Sequence, residues 1–208
     1  MFDIMEDYSK REIILESSER IICNLIKPNS RVLDLGCGEG ILLQKLKKDK
    51  NIKGVGIEIN EKNVLTCITK GLSVCQGNID EGLTDYADKS FDYIIMNNTL
   101  QQIYKPEYVI NEMRRVGKTI IFGMASFTFW KIRLTLLFNG KLPKTSFYQY
   151  EWYNTPNIRV ISARDFFFFC KKNNIEILNF YGNIWNIFFQ MPLAITNLLS
   201  KYCVFVCK

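Results

Sequence analysis

The stretch Val32-Leu33-Asp34-Leu35-Gly36-Cys37-Gly38-Glu39-Gly40 decides how this chain is read. An apolar strand runs into a turn with glycine at every second position, and a helical pattern begins at Ile41. Glycine there permits positive φ and lets a ligand come close to the main chain. Phosphate-gripping loops use the same device but space their glycines differently, as G-x-G-x-x-G or with a lysine after the last glycine. Asp34, at the mouth of the turn, would repel a phosphate. It suits a cationic ligand, such as one carrying an amino group and a sulfonium. Glu58 follows Gly38 by twenty residues and closes the second apolar run Gly54-Val55-Gly56-Ile57-Glu58. At that spacing a carboxylate reaches a ribose diol in a nucleotide-binding βαβ unit. Together the two features predict a site for S-adenosylmethionine (SAM) or its demethylated product, S-adenosylhomocysteine (SAH). The competing readings are glycines that serve tight packing alone and a Glu58 that is only a surface carboxylate.

Outward from the turn, the pattern alternates. Strand Arg31–Leu35 leads into helix Gly40–Lys48, with Ile41, Leu42, Leu43 and Leu46 inward, and then into strand Lys53–Ile59. Helix Glu61–Thr69 and strand Leu72–Gln76 follow, then the loop Gly77–Asp80, strand Phe91–Met96, helix Pro106–Val116 and strand Thr119–Gly123. Such alternation implies right-handed βαβ units and a parallel sheet. Upstream, apolar residues at helical spacing over 10–26 stop before Pro28, which predicts an N-terminal helical segment over 1–27 and a cofactor-binding domain over 28–208. Residues 124–160 form an insertion dense in aromatics. Ser162 and Asp165 form a variant capping box for a helix ending at Lys172, followed by strands Ile175–Tyr181 and Tyr202–Cys207. The last strand has no obvious crossover helix before it, so it should pair antiparallel. The expected fold is α/β, a Rossmann-like seven-stranded fold of methyltransferase type, mostly parallel with an antiparallel last strand and the aromatic insertion after strand 5.

Ligands in open α/β sheets sit beyond the carboxyl ends of the strands. That groups Asp34, Gly36, Cys37, Gly38 and Gly40 beside the methionine part of the cofactor, Glu58 at the ribose and Ile59 against the adenine. Asn78, Ile79 and Asp80 lie where the adenine amino group would be bound, and Asn97-Asn98-Thr99-Leu100 end the fourth strand facing the crevice. Asp80 reads equally well as a helix cap, and Asn97 and Asn98 as turn residues. The run Phe166–Phe169 reads as core plus subunit surface.

Composition narrows the chemistry. The 208 residues suit one domain. Histidine is absent, which removes the commonest general base and the commonest metal ligand. The seven cysteines are odd in number, irregularly spaced and without a CxxC pair, so neither a disulfide framework nor a metal site is signalled. Cys23, Cys67, Cys75, Cys170, Cys203 and Cys207 read as small buried hydrophobes. The net charge of +6 is diffuse, and its densest cluster, Lys45 to Lys53, reads as a solvated face at the end of a helix rather than a nucleic-acid patch. No stretch has the ~18 uninterrupted apolar residues of a membrane span, and the acidic N-terminus lacks the order of a signal peptide. A cytosolic location with no membrane partner is expected.

At this point the chain resembles a known family. Beyond the glycine turn, which is common to class I SAM-dependent methyltransferases, the match lies in Phe91-Asp92-Tyr93-Ile94-Ile95, Thr99-Leu100-Gln101 and Glu112-Met113-Arg114-Arg115-Val116-Gly117. Its sharpest part is Tyr150-Glu151-Trp152-Tyr153-Asn154-Thr155-Pro156-Asn157-Ile158-Arg159, preceded by Trp130-Lys131-Ile132-Arg133-Leu134. In this order they resemble the bacterial methionine-biosynthesis family MetW over roughly residues 28–208. The resemblance implies a methyltransferase-like fold and a role in methionine synthesis beside a partner, homoserine O-acyltransferase, that the family member binds and activates. One segment departs from the pattern. Where the family has Phe-Pro-Asn-Phe-Gly-His-Trp, this chain has Met124-Ala125-Ser126-Phe127-Thr128-Phe129-Trp130, which lacks the proline, glycine and histidine and keeps the anchoring tryptophan.

Two functions stay open at this level. A small-molecule methyltransferase would rely on proximity and orientation, with Tyr104, Tyr150 and Tyr153 as residues near an acceptor by loop position. A regulatory subunit would use its cofactor pocket to sense SAM or to order the aromatic surface of residues 127–160. Aromatics and arginine are the residue types enriched at interface hot spots. That segment is expected to fold as a lid that gives part of its face to the partner.

Overall fold

Both faces of the central strands are covered, and the sequence shows why. In the computed structural model, which describes residues 2–208 and side chains from residue 12 onward, β1 (Arg31–Leu35) is buried at every position after Arg31. Its alternate residues enter two separate cores. Val32 joins Ile14 and Ile22 of α1 (Phe2–Leu25) and Leu42, Leu43 and Leu46 of α2 (Ile41–Lys50), while Leu33 and Leu35 join the opposite face. Strands buried on both sides read as continuous apolar runs, as this one does.

Five strands run parallel: β1, β2 (Lys53–Glu58), β3 (Ser73–Gln76), β4 (Phe91–Asn97) and β5 (Gly117–Ala125). On one face α3 (Glu61–Thr69) lies with α1 and α2. On the other, α4 (Pro106–Val116) and α6 (Ala163–Lys172) bury Val109, Ile110, Met113, Val116, Phe166 and Cys170. Between them in sequence is α5 (Trp130–Asn139). The chain then forms β6 (Ile177–Ile184), β7 (Ile187–Phe189), α7 (Leu193–Leu199) and β8 (Tyr202–Cys207). β8 inserts between β5 and β6, antiparallel to both, and the order across the sheet is β3-β2-β1-β4-β5-β8-β6-β7. The expected α/β methyltransferase fold with an antiparallel last strand is therefore present.

Several details correct the sequence reading. The sheet has eight strands rather than seven, because β6 folds back on β7 through Trp185 and Asn186, both at positive φ (47° and 67°). Two such residues in succession make the primed type of turn whose twist suits a hairpin. Ile41 does not face inward; as the first residue of α2 it is 56% exposed. Cys75 is exposed, because β3 is the edge strand. The aromatic insertion contains α5, and α7 lies between β7 and β8. The Ser162–Asp165 capping box forms with both of its bonds, at 3.0 and 3.2 Å. Among the described residues no helix is long and apolar enough to cross a membrane.

Candidate functional site

Strand order reverses between β1 and β4, and a crevice of about 190 Å³ opens at the carboxyl ends of these two strands. This is where open α/β sheets bind ligands. Its walls are Asp34 from β1, Gly36, Cys37, Gly38 and Glu39 from the turn, and Ile41 and Leu42 from α2. Asn97 and Asn98 complete it from β4, with Leu15 and Glu19 from α1. A larger hollow of about 490 Å³ lies at the opposite ends of β1 and β2, between Arg31, Lys47 and Lys53. It touches none of the turn residues.

The turn is shaped by main-chain bonds. The Gly36 and Cys37 N–H groups both donate to the Ile57 carbonyl, at 2.8 and 3.2 Å, which pulls the turn over the end of β2. Gly36, Gly38 and Gly40 all have positive φ, of 72°, 54° and 74°. A Cβ at Gly36 would meet the Thr99 side chain at 2.6 Å, and one at Gly40 would meet Leu72 at 2.5 Å. At Gly38 a Cβ would meet nothing within 4 Å. Gly36 and Gly40 are thus small because neighbours press on them. Gly38 leaves its backbone bare toward open space.

Asp34 carries the electrostatics. It shares the sheet face of Val32, so α1 and α2 cover it and only 3% of it is exposed. Among the described residues its carboxylate has no hydrogen-bond or ion-pair partner. Burial, and then the charges of Glu19 and Glu58, push its pKa up to about 7. Burial also raises Glu19, against the pull of Lys45. Cys37 is pushed well above the ordinary thiol range by burial and then by Asp34, so it is a poor nucleophile. Among the described residues no lysine or arginine lines the crevice. A buried acid without a partner is costly unless a cation arrives, so the residues present fit a positively charged ligand.

Glu58 ends β2 and is buried. Its Oε2 accepts from the Gly38 N–H and its Oε1 from the Asn60 N–H, each at 2.9 Å. The acid and the glycine turn are therefore bonded directly, across the twenty-residue spacing read from the sequence. A carboxylate offers about four acceptor sites, so two stay available. Ile59, next along, is exposed.

The other candidate residues separate into two groups. Asn97 lines the crevice and its Oδ1 accepts from the Tyr202 hydroxyl at 2.8 Å. Asn78 caps a short helical turn by accepting from the Asp80 N–H, and Ile79 packs against the core. Asp80 is buried, and its two oxygens accept from the Tyr104 and Lys105 N–H groups at 3.0 and 2.7 Å. It thereby clamps the loop that precedes α4. Tyr104, Trp130, Tyr150 and Tyr153 are all exposed and none of them lines the crevice. Sequence reasoning missed Leu15 and Glu19. The helical spacing of α1 was legible, but nothing local says which of its residues meets Asp34.

Two of the motifs that carry the family resemblance, Thr99–Gln101 and Tyr150–Arg159, bind one another. The Gln101 carbonyl accepts from the Ile158 and Arg159 N–H groups at 3.0 and 3.1 Å, and the Gln101 amide donates to the Ala125 carbonyl. The Arg159 guanidinium donates to the carbonyls of Ile103 and Tyr104. Arg115 reaches Glu112, Asp88 and the carbonyls of Leu83 and Tyr86. The bonds of Gln101, Ile158 and Arg159 fasten the insertion to the loop after β4. Next to that anchor Trp152 and Tyr153 stand edge to face, 5.5 Å apart and 76% and 69% exposed.

A family model for the methionine biosynthesis protein MetW matches residues 17–207. A bifunctional methionine biosynthesis protein MetXA/MetW of Rhodopirellula baltica is 32% identical over 163 residues, which cover 74% of this chain and 26% of that protein. The chain thus spans about a quarter of that relative's length. A demethylmenaquinone methyltransferase of Bacillus velezensis is 27% identical over 68% of this chain and 66% of its own. Among solved structures, a SAM-dependent methyltransferase of Thermotoga maritima, a possible histamine N-methyltransferase, superposes with a TM-score of 0.66. It has 18% identity and covers 98% of this chain and 95% of its own. A SAM-dependent methyltransferase of Archaeoglobus fulgidus gives 0.66 at 16% identity, covering 95% and 94%. At these identities the structural neighbours establish the fold.

Proposed function

We propose, from the premise that this chain belongs to the MetW family, that it is a SAM-binding protein of methionine biosynthesis that binds and activates homoserine O-acyltransferase. The observation that carries the ligand assignment is Asp34, an acid with 3% exposure that, among the described residues, has no partner and no cation beside it in the crevice. SAM supplies an α-ammonium group and an electrophilic methyl on a sulfonium. Asp34 would hold the ammonium, Gly36, Cys37 and Gly38 would lie along the methionine part, with Gly40 shaping the turn, and Glu58 would take the ribose hydroxyls with its two spare acceptor sites. Ile59 would lie against the adenine, with Asn78, Ile79 and Asp80 in the neighbouring loop and Asn97 closing the crevice floor. A crevice of about 190 Å³ suits the amino-acid end rather than the whole nucleoside, since pockets that enclose drug-sized ligands start near ~300 Å³.

The partner assignment draws support from the insertion. Leu137, Phe138, Trp152 and Tyr153 are each about 70% exposed or more. Exposed apolar and aromatic side chains in one segment mark interaction surfaces. The Rhodopirellula relative, which combines MetXA and MetW in one bifunctional protein, fits a working association of the two. Mixing this protein with the homoserine O-acyltransferase of its own organism should give co-elution and a rise in acyl-transfer turnover, and Trp152→Ala should weaken both. Absence of both effects, together with radiolabelled methyl passing from SAM to a metabolite, would replace this reading with a small-molecule methyltransferase. Calorimetry with SAM and SAH tests the pocket in either case.

A further inference from the structure

We propose that Glu19 makes the crevice read the charge on sulfur, so that the site takes the sulfonium SAM in preference to the neutral thioether SAH. This rests on the proposed cofactor reading and extends it to a discrimination between the two forms. Asp34 alone satisfies one ammonium group, which both ligands carry. Glu19 adds a second carboxylate from a different element, α1, on the wall facing the turn. Among the described residues it has no hydrogen bond or ion pair. Of the described groups that act on it, Asp34 on β1 and Glu16, one turn earlier on α1, are acidic, and Lys45 of α2 is the cation. Glu39 also lines the crevice, and among the described residues no cation does.

Two or three acids around one ammonium leave an excess of negative potential. A second positive charge on the ligand offsets it without proton uptake by the acids, and SAM and SAH differ in that charge and one methyl. The carboxylate and adenosine of the two ligands are the same, so the ratio of their affinities isolates the effect of sulfur.

The test is calorimetric titration of SAM and SAH into the full chain, with and without Glu19→Gln. Loss of one unit charge from the crevice wall should weaken SAM roughly tenfold and SAH less than about twofold. Glu16→Gln removes the same charge from α1, but Glu16 pairs with the exposed Arg20 at 2.9 Å and does not line the crevice, so the ratio should stay at its original value. Glu19→Asp keeps the charge and should keep most of the preference, which guards against a folding defect in the first variant. Equal weakening of both ligands in Glu19→Gln, or an unchanged ratio, would overturn the inference and leave the cofactor reading standing. Failure of both ligands to bind the unaltered protein would overturn the cofactor reading and this inference with it.

Discussion

The glycine turn and the aromatic insertion are built by opposite means. Residues 34–40 hold their shape through backbone conformation and bonds to the next strand, and they leave acid groups without partners around a hollow. Residues 140–160 have little regular structure, and distant carbonyls on the loop after β4 hold their anchored end. The first region keeps an electrostatic debt for a ligand to cancel. The second is tied down by hydrogen bonds at Ile158 and Arg159 and leaves apolar faces bare. One is suited to a small cation and the other to a macromolecular surface.

Perturbations of each region should therefore separate stability from binding. The largest expected effect comes from Asp34. Its pKa of about 7 in the folded chain exceeds its ordinary value of 3.8, so its contribution to stability is full below pH 4 and is lost as pH rises through 7. Without ligand, unfolding free energy should fall by up to about 4 kcal/mol over that window. Asp34→Asn should abolish this slope in denaturant titrations, and saturating SAM should suppress it in the unaltered protein. A flat profile in the unaltered protein would mean the acid is not isolated.

Next comes Gly36→Ala. The new Cβ meets Thr99 at a backbone φ of 72°, and about 2–3 kcal/mol of stability should be lost in chemical denaturation. Gly38→Ala, which meets nothing, should cost only about 1 kcal/mol yet weaken ligand binding at least as much.

In the insertion, Arg159→Ala removes charge-assisted bonds to the Ile103 and Tyr104 carbonyls. A loss of about 2 kcal/mol is expected, with faster limited proteolysis within 140–160 and SAM affinity unchanged within about twofold. The smallest effect on stability belongs to Trp152→Ala. As an exposed surface change it should stay within about 0.5 kcal/mol while weakening association with the acyltransferase. A melting shift of many degrees would show that Trp152 is structural.

The same contrast explains what was legible from the residues. Strands β1 and β2, the turn and Glu58 depend on contacts within about thirty residues, where spacing and glycine placement carry the information. Asp80 reads both as ligand contact and as cap because its partners, the Tyr104 and Lys105 N–H groups, belong to an irregular loop beyond β4 whose path no spacing pattern encodes. The α5 helix was hidden because its apolar residues surround it instead of forming a stripe, and Leu137 and Phe138 at its end point outward. The β6–β7 hairpin was hidden because Trp185 occupies a left-handed position that glycine or asparagine usually signals. Glu19 was hidden for a different reason. The pairing of α1 with Asp34 is set by how a helix docks on a sheet, and no local pattern encodes it.

The position of β8 between β5 and β6 has a kinetic consequence. During synthesis β5 has no neighbour on that side until residues 202–207 emerge, some eighty positions later. An open apolar strand edge is a liability in that interval, and pairing across so long a separation is slow. The Tyr202 hydroxyl that fixes Asn97 arrives with the same strand. Ligand affinity should accordingly appear among the last properties of a nascent chain, and a chain stalled before residue 202 should be captured by chaperones.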